Sequence, residues 1–205
     1  MSSLLYLIAV ILMAIGVGLL GLYNSKVIMD ANAKNDFTHQ VIENVLSLKE
    51  NMLAIETGER GFLLRGDEAY LQPYNTGKQD IEKHLKAAMD LTAHNELVSS
   101  NLKKFKEHYN TWVDTIIEPL IETRRAVNAG RLTEQQLSEA IASRSSKSLT
   151  DKMHAELKAV EDEEFRLLNE RKKVSDAVYE QSIVYTIAIT VLAAFVGLGL
   201  NWLVA

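Results

Sequence analysis

Residues that could carry out catalysis or bind a metal are few in this chain and poorly spaced. There is no cysteine, and no two of the five histidines lie four residues apart: His39, His84, His94, His108 and His154. Zinc sites need cysteine, histidine and carboxylate ligands at short spacings, which are missing here. Gly58, Gly61 and Gly66 follow no strand pattern, so they do not form a phosphate-binding loop. We therefore predict no catalytic residue, no metal site, no cofactor and no enzymatic activity.

Two groups of charged residues remain as candidate binding sites. The acidic run from Glu161 to Glu164 is either a solvated helix face or a cation site, and the solvated face is favoured. Glu56 and Arg60 lie four residues apart and can pair along a helix. They are either a ligand-reading pair or a buried pair that fixes helix register. We favour the structural role for this pair.

The elements that position these residues are predicted from four apolar stripes at helical spacing. The members of the stripes are Val41, Val45, Leu48, Met52 and Ile55, then Leu71, Tyr74, Ile81, Leu85 and Met89, then Phe105, Tyr109, Trp112, Ile116 and Leu120, and finally Leu149, Met153, Leu157, Val160 and Leu167. Each stripe needs a partner helix to cover it. The fold predicted is all-α, an elongated antiparallel four-helix bundle continuous with two transmembrane helices.

Turn and capping residues separate the stripes. Gly66 suits the position just after a helix, and Asp67 can cap the next one. Asn95 is a candidate cap before the third stripe, and Thr133 with Gln136 matches a capping box. A polar stretch at 143–148 should interrupt the chain before the last helix.

The two prolines of the chain also mark predicted helix features. Pro73 is expected in a first turn. Pro119 should kink the third arm, so that residues 119–148 fold over the tip of the bundle.

Charge is confined to the middle of the chain, and every Asp, Glu, Lys and Arg lies between Lys26 and Glu180. The apolar segments 4–23 and 183–205 are each long enough to cross a hydrocarbon core of about 30 Å. Tyr6 and Tyr23 bracket the first segment, and Tyr185 and Trp202 bracket the second, as expected at membrane interfaces. We predict transmembrane helices at 1–23 and 183–205 around a bundle domain at 24–182.

The alternative for the first segment is a cleaved signal peptide, which is disfavoured. Such a peptide needs a basic start and a small-residue cleavage site, and this segment has neither.

The lengths of the predicted helices also predict a homodimer. A first helix over 24–64 would extend about 22 Å beyond a second helix over 68–93, and this two-helix stalk would expose an apolar seam.

The most specific pattern in the chain runs from Glu56 to Tyr74. Its fixed members are Glu56, Thr57, Gly58, Arg60, Gly61, Phe62, Leu63, Leu64, Gly66, Asp67, Tyr70, Leu71, Pro73 and Tyr74. This pattern closely resembles the signature of the third class of cyclase/histidine-kinase-associated sensory extracellular (CHASE-type) domains. Trp112 with Glu118-Pro119-Leu120 resembles the third helix of that family. A closing-helix motif is matched by Glu164, Leu167, Leu168 and Arg171.

The resemblance implies a periplasmic or extracellular sensor held between two membrane helices. It places the protein in the bacterial inner membrane, with both termini cytoplasmic. Receptors of that family continue past the second span into an output module, whereas this sequence stops at Ala205. The expectation is a shortened receptor, or a module acting on a cytoplasmic or membrane signalling partner in trans.

Two functions from different classes fit the sequence. One is a sensory input module whose first and last helices pass a signal across the membrane. The other is a membrane-anchored interaction subunit whose bundle docks on another membrane protein complex. The net charge of −5 argues against nucleic acid and against docking on anionic lipid.

Overall fold

Helical periodicity in the sequence is matched by a computed structural model made of helices and turns. The structure describes the backbone of residues 2–204, with the side chains of residue 8 and residues 11–195. No strand occurs in this backbone range, and the predicted all-α bundle is confirmed. Tyr6 and Trp202, both predicted at membrane interfaces, lie outside the described side chains.

Six α-helices follow one another in the described backbone: α1 Ser2–Arg65, α2 Gln72–Leu91, α3 Glu96–Trp112, α4 Glu118–Asn128, α5 Glu134–Ser143 and α6 Lys147–Val204. A 3₁₀ turn at Glu68–Leu71 precedes α2, and a π segment at Val113–Ile117 separates α3 from α4. The chain divides into two compact units, one made of residues 1–36 and 167–205 and the other of residues 37–166.

The core of the unit at residues 37–166 is built from the four stripes. Most of the stripe residues in this unit are fully buried, including Leu48, Ile81, Trp112 and Leu157. Met89 and Leu149 are only partly buried. Phe105 and Tyr109 stack with ring centroids 6.2 Å apart. The 3.6-residue repeat therefore identified the core of this unit correctly.

The caps lie where side-chain chemistry predicted them. Asp67 accepts a hydrogen bond from the Ala69 amide at 2.9 Å, and Asn95 accepts one from the Val98 amide at 3.2 Å. Thr133 forms the complete capping box at the start of α5. Each cap satisfies an amide that the helix itself leaves without an acceptor.

The third arm differs from its prediction at Pro119. A π segment, which the sequence did not predict, precedes Pro119 and ends just before α4 begins. The Glu118 amide donates to the Val113 carbonyl, five residues back. Pro119 then lies in the first turn of α4, where a missing N–H removes no helical hydrogen bond.

The other unit pairs the ends of the two longest helices, α1 and α6. The Asn24 amide donates to the Ser182 hydroxyl at 2.6 Å, and the Arg171 guanidinium donates to the Lys34 carbonyl at 3.0 Å. The later residue of α1 contacts the earlier residue of α6, so the helices run antiparallel. A two-helix pairing was predicted for this part of the chain.

Within the described residues, two helices, covering Ile11–Arg65 and Lys147–Phe195, each contain a stretch that is long and apolar enough to cross a membrane. Their most apolar stretches are not buried inside the protein at all, unlike the core helix of a soluble domain. Leu19 and Phe195, for example, are more than 60% exposed. The structure therefore indicates a membrane protein. The predicted limits of the bundle domain, 24 and 182, stay a prediction.

Candidate functional site

The signature motif folds back on itself, so that its second half packs against the two glycines of its first half. Gly58 and Gly61 lie one helical turn apart on α1 and face the segment that holds Tyr70 and Tyr74. A Cβ atom at Gly58 would lie 2.7 Å from the Tyr74 backbone nitrogen, and one at Gly61 would lie 2.8 Å from the Tyr70 ring. The predicted close approach is present, and the neighbour at Gly58 is backbone.

The turn after α1 requires its glycine. Gly66 has a φ of +72°, and its amide donates to the Phe62 carbonyl at 2.8 Å, which ends the helix. The Asn128 amide group donates to the Gly66 carbonyl at 2.6 Å. A side chain at position 66 would also collide with Arg124 and Asn128. The end of α4 therefore packs directly on the signature turn, as predicted for residues 119–148.

A bidentate ion pair joins the same two parts of the unit. Arg125 donates to both carboxylate oxygens of Glu68, at 2.8 and 2.7 Å, and also to Glu122 at 2.7 Å. The hydrogen bond from Arg125 holds the pKa of the Glu68 carboxyl below its ordinary value. The pair is largely exposed, so its contribution is mainly to orientation.

Tyr74 connects the signature to the start of α4. Its hydroxyl donates to Glu118 at 3.1 Å, and Lys78 donates to the same carboxylate oxygen at 2.5 Å. The hydrogen bond from Lys78 lowers the pKa of Glu118. Burial works against the charge of Lys78, but hydrogen bonds to Glu118 and Tyr74 outweigh it and raise the pKa of the amine. Both groups are therefore charged at neutral pH.

The remaining signature residues have local contacts. Pro73 occupies the first turn of α2, as predicted. The Thr57 hydroxyl donates to the Leu53 carbonyl within α1. Arg60 reaches Glu56 only at 3.5 Å, and its side chain is 69% exposed. The interpretation of this pair as buried is wrong, because the Arg60 side chain is mostly exposed and that of Glu56 is partly exposed.

The interpretation of the acidic run from Glu161 to Glu164 as a solvated helix face is also corrected. Glu164 is buried and accepts a hydrogen bond from the Thr38 hydroxyl at 2.7 Å, while Glu161 pairs with Lys49 at 2.6 Å. The run is therefore not a solvated face throughout, since one carboxyl turns into the core. The rest of the closing motif belongs to the other unit, where Leu167 and Leu168 are half-buried and Arg171 binds α1.

The sequence that forms this geometry, with a glycine face closed by a capped turn, matches a known family. The family model of the CHASE3 domain matches residues 31–174, which is well over half of the chain. The chain belongs to the CHASE3 domain family. No curated protein and no solved structure matches it. CHASE3 domains are sensory domains of signalling receptors and are not catalytic, and the resemblance in the signature is thereby confirmed.

The CHASE3 domain also holds a buried carboxyl that the motif did not single out. Glu59 is 6% exposed, and no hydrogen bond to it occurs in the described part of the chain. Burial, together with the nearby charge of Glu56, raises its pKa to about 7, against the opposing effect of Arg60. Glu59 lies four residues after Ile55 and so continues the helical stripe that contains Met52 and Ile55. That extension of the apolar stripe is the signal that would have identified it.

We expect Gly58→Ala to destabilise the CHASE3 domain by about 1–3 kcal/mol, because the new methyl group meets backbone that cannot rotate away. Gly61→Ala should cost less, since the half-exposed Tyr70 ring can move. The control is Gly21→Ala, where no atom lies within 4 Å and no loss is expected. Thermal unfolding of the full chain measures the order of stability of the three variants. Equal stability of all three variants would contradict the close approach at Gly58.

The buried Glu59 carboxyl should make stability depend on pH. Its pKa is about 7 in the folded protein and near 4.5 when unfolded, so the folded state binds more protons between these values. Stability should therefore fall as pH rises from about 4.5 through 7. Glu59→Gln should remove this slope, worth on the order of 2–3 kcal/mol by pH 8.

Urea unfolding at pH 5, 6, 7 and 8 measures the pH slope of stability. Glu139→Gln on α5 is the matched control, because Glu139 is exposed and should leave the slope unchanged. A slope that is identical in wild type and Glu59→Gln would show that Glu59 ionises normally.

Proposed function

We propose that this CHASE3 domain is the sensory input module of a two-pass receptor in the bacterial inner membrane. Residues 24–182 face the periplasm or the exterior, and both termini lie in the cytoplasm. A signal at the bundle moves α1 and α6, and this movement passes the signal across the bilayer. The displacement acts on a cytoplasmic output domain or on a signalling partner in trans.

Helix continuity is the observation that carries this proposal. The α1 helix runs without a break from Ser2 to Arg65, so one element holds both a membrane-capable stretch and the first part of the signature, from Glu56 to Arg65. The α6 helix likewise joins the buried Glu164 to the second membrane-capable stretch. A continuous helix is an element along which a displacement at one end can be passed to the other.

Exposed apolar residues on α1 support a homodimer. Leu46 and Leu53 are 48% and 64% exposed and lie seven residues apart, so they share one face of the helix outside the core stripe. Met29, nearer the membrane-capable stretch, is 67% exposed. A second copy of the chain would cover such a seam, and parallel pairing would bring equivalent positions of α1 together.

The dimer can be tested with single cysteines, because the natural chain has none. Val27→Cys and Ala31→Cys should each form disulfide-linked dimers under mild oxidation in native membranes. Lys103→Cys, on an exposed position of α3, is the control and should remain monomeric. Persistent monomers at both α1 positions, under conditions that oxidise a known dimer, would rule out this arrangement.

The same Lys103→Cys variant tests the orientation in the membrane. In intact cells with a permeable outer membrane, a maleimide that cannot cross the inner membrane should modify it completely. Modification only after the inner membrane is opened would place the bundle in the cytoplasm. That result would exclude an extracytoplasmic sensor.

A further inference from the structure

A small cavity lies beside the signature, within the unit at residues 37–166. Its volume is about 150 Å³, and it is lined by α1, the π segment, α4, α5 and the connection between α5 and α6. The aliphatic part of its lining consists of Leu63 from α1, Ile116 and Ile117 from the π segment, Leu120 from α4 and Ile141 from α5. Because π segments in helices are frequent at functional sites, the position of this cavity is informative.

Four charged side chains line the cavity, and two of them are paired with each other. Glu56 and Arg60 form an ion pair at 3.5 Å. Glu59 and Arg144, the other two, make no ion pair and no side-chain hydrogen bond within the part of the chain that the structure describes. The cavity therefore presents one carboxyl and one guanidinium that are not bonded to each other.

Glu59 is more than nine-tenths buried and lines the cavity, but neither of its carboxylate oxygens is among the fully buried atoms that lack a hydrogen-bond partner. The carboxylate therefore reaches open space, where water or a ligand can donate a hydrogen bond to it. Arg144 lies on the α5–α6 connection and offers a planar fork of donors that matches a carboxylate.

We propose that this cavity binds a small zwitterion, whose ammonium group pairs with Glu59 and whose carboxylate pairs with Arg144. The inference rests on the proposed sensory function and assigns the class of signal as a small α-amino acid. A cavity of about 150 Å³ with aliphatic walls accommodates benzene, which has six non-hydrogen atoms. Alanine has the same number, and its methyl group suits the aliphatic walls.

The two charges also predict how affinity changes with pH. An ammonium group pairs with the ionised form of Glu59, whose pKa burial raises to about 7. Arg60 and Glu56 of α1 are the charged groups that act on Glu59, and Arg144 of the connection lines the same cavity. The lining residues of the π segment, α4 and α5 are aliphatic. Binding should therefore strengthen as pH rises through 7.

The test is calorimetric titration of the full chain in lipid nanodiscs with L-alanine at pH 6, 7 and 8. Affinity should rise about tenfold from pH 6 to pH 8, following the ionised fraction of a group with a pKa near 7. Acetate and methylammonium, each carrying one of the two charges, should bind at least about tenfold more weakly than L-alanine.

Glu59→Gln and Arg144→Gln should each weaken L-alanine binding by tenfold or more. Glu139→Gln and Arg131→Gln, which remove the same charges at exposed positions, are the matched controls and should bind like wild type. Circular dichroism of each variant checks that it is folded. Arg144 is only half-buried, so its variant keeps the test informative if Glu59→Gln alters the core.

Several outcomes would overturn the inference. They are no binding of L-alanine by wild type, unchanged binding by both cavity variants, or an affinity that falls as pH rises. The last result would indicate a carboxylate bound to neutral Glu59. If L-alanine fails to bind while the cysteine tests succeed, the ligand inference fails and the sensory proposal stands. If L-alanine binds and the bundle proves to be cytoplasmic, the ligand inference stands and the proposal of an extracytoplasmic sensor fails.

Discussion

Close backbone contact at Gly58 is the constraint on which the arrangement of this CHASE3 domain depends. With only 2.7 Å between a Cβ at that position and the Tyr74 nitrogen, no other residue fits without displacing the start of α2. The contact fixes where α2 leaves the turn, and hence where Tyr74 and Lys78 meet Glu118. The end of α4 then reaches Gly66 and Glu68. The signature therefore has a structural role, because it fixes how α1, α2 and α4 pack together, and any signalling role acts through these packing contacts.

Two buried carboxyl groups in the same unit are treated differently by their surroundings. Glu164 accepts a short hydrogen bond from Thr38, which compensates for part of its lost hydration. Glu59 has no such partner in the described part of the chain, and burial raises its pKa to about 7. Proteins retain costly groups of this kind mainly where they serve a function, because an apolar residue would be more stable there. Glu59 is therefore a signature-region residue whose burial stability does not explain.

The sequence predicted the local features of the fold well, and its errors have a common physical origin. Caps at Asp67, Asn95 and Thr133 depend on residues within three positions, so their spacing alone identified them. The π segment before Pro119 was missed because a periodic pattern cannot separate a helix interior from a new first turn. Glu164 was misassigned because charge favours exposure on average, and Arg60 was misassigned in the opposite direction, as buried. In both cases the actual burial depends on which helix packs alongside.

The sequence by itself determined which segments are helical, where they end, which faces are apolar, and which pair of glycines permits close approach. These properties follow from backbone conformation and side-chain periodicity, which act over a few residues. Tertiary structure alone decided that Glu59 lies beside a cavity with Arg144, and that α4 closes over the signature turn. Those contacts join residues more than 60 positions apart. They exist because packing of the whole bundle leaves each side chain a particular set of neighbours, which no local pattern encodes.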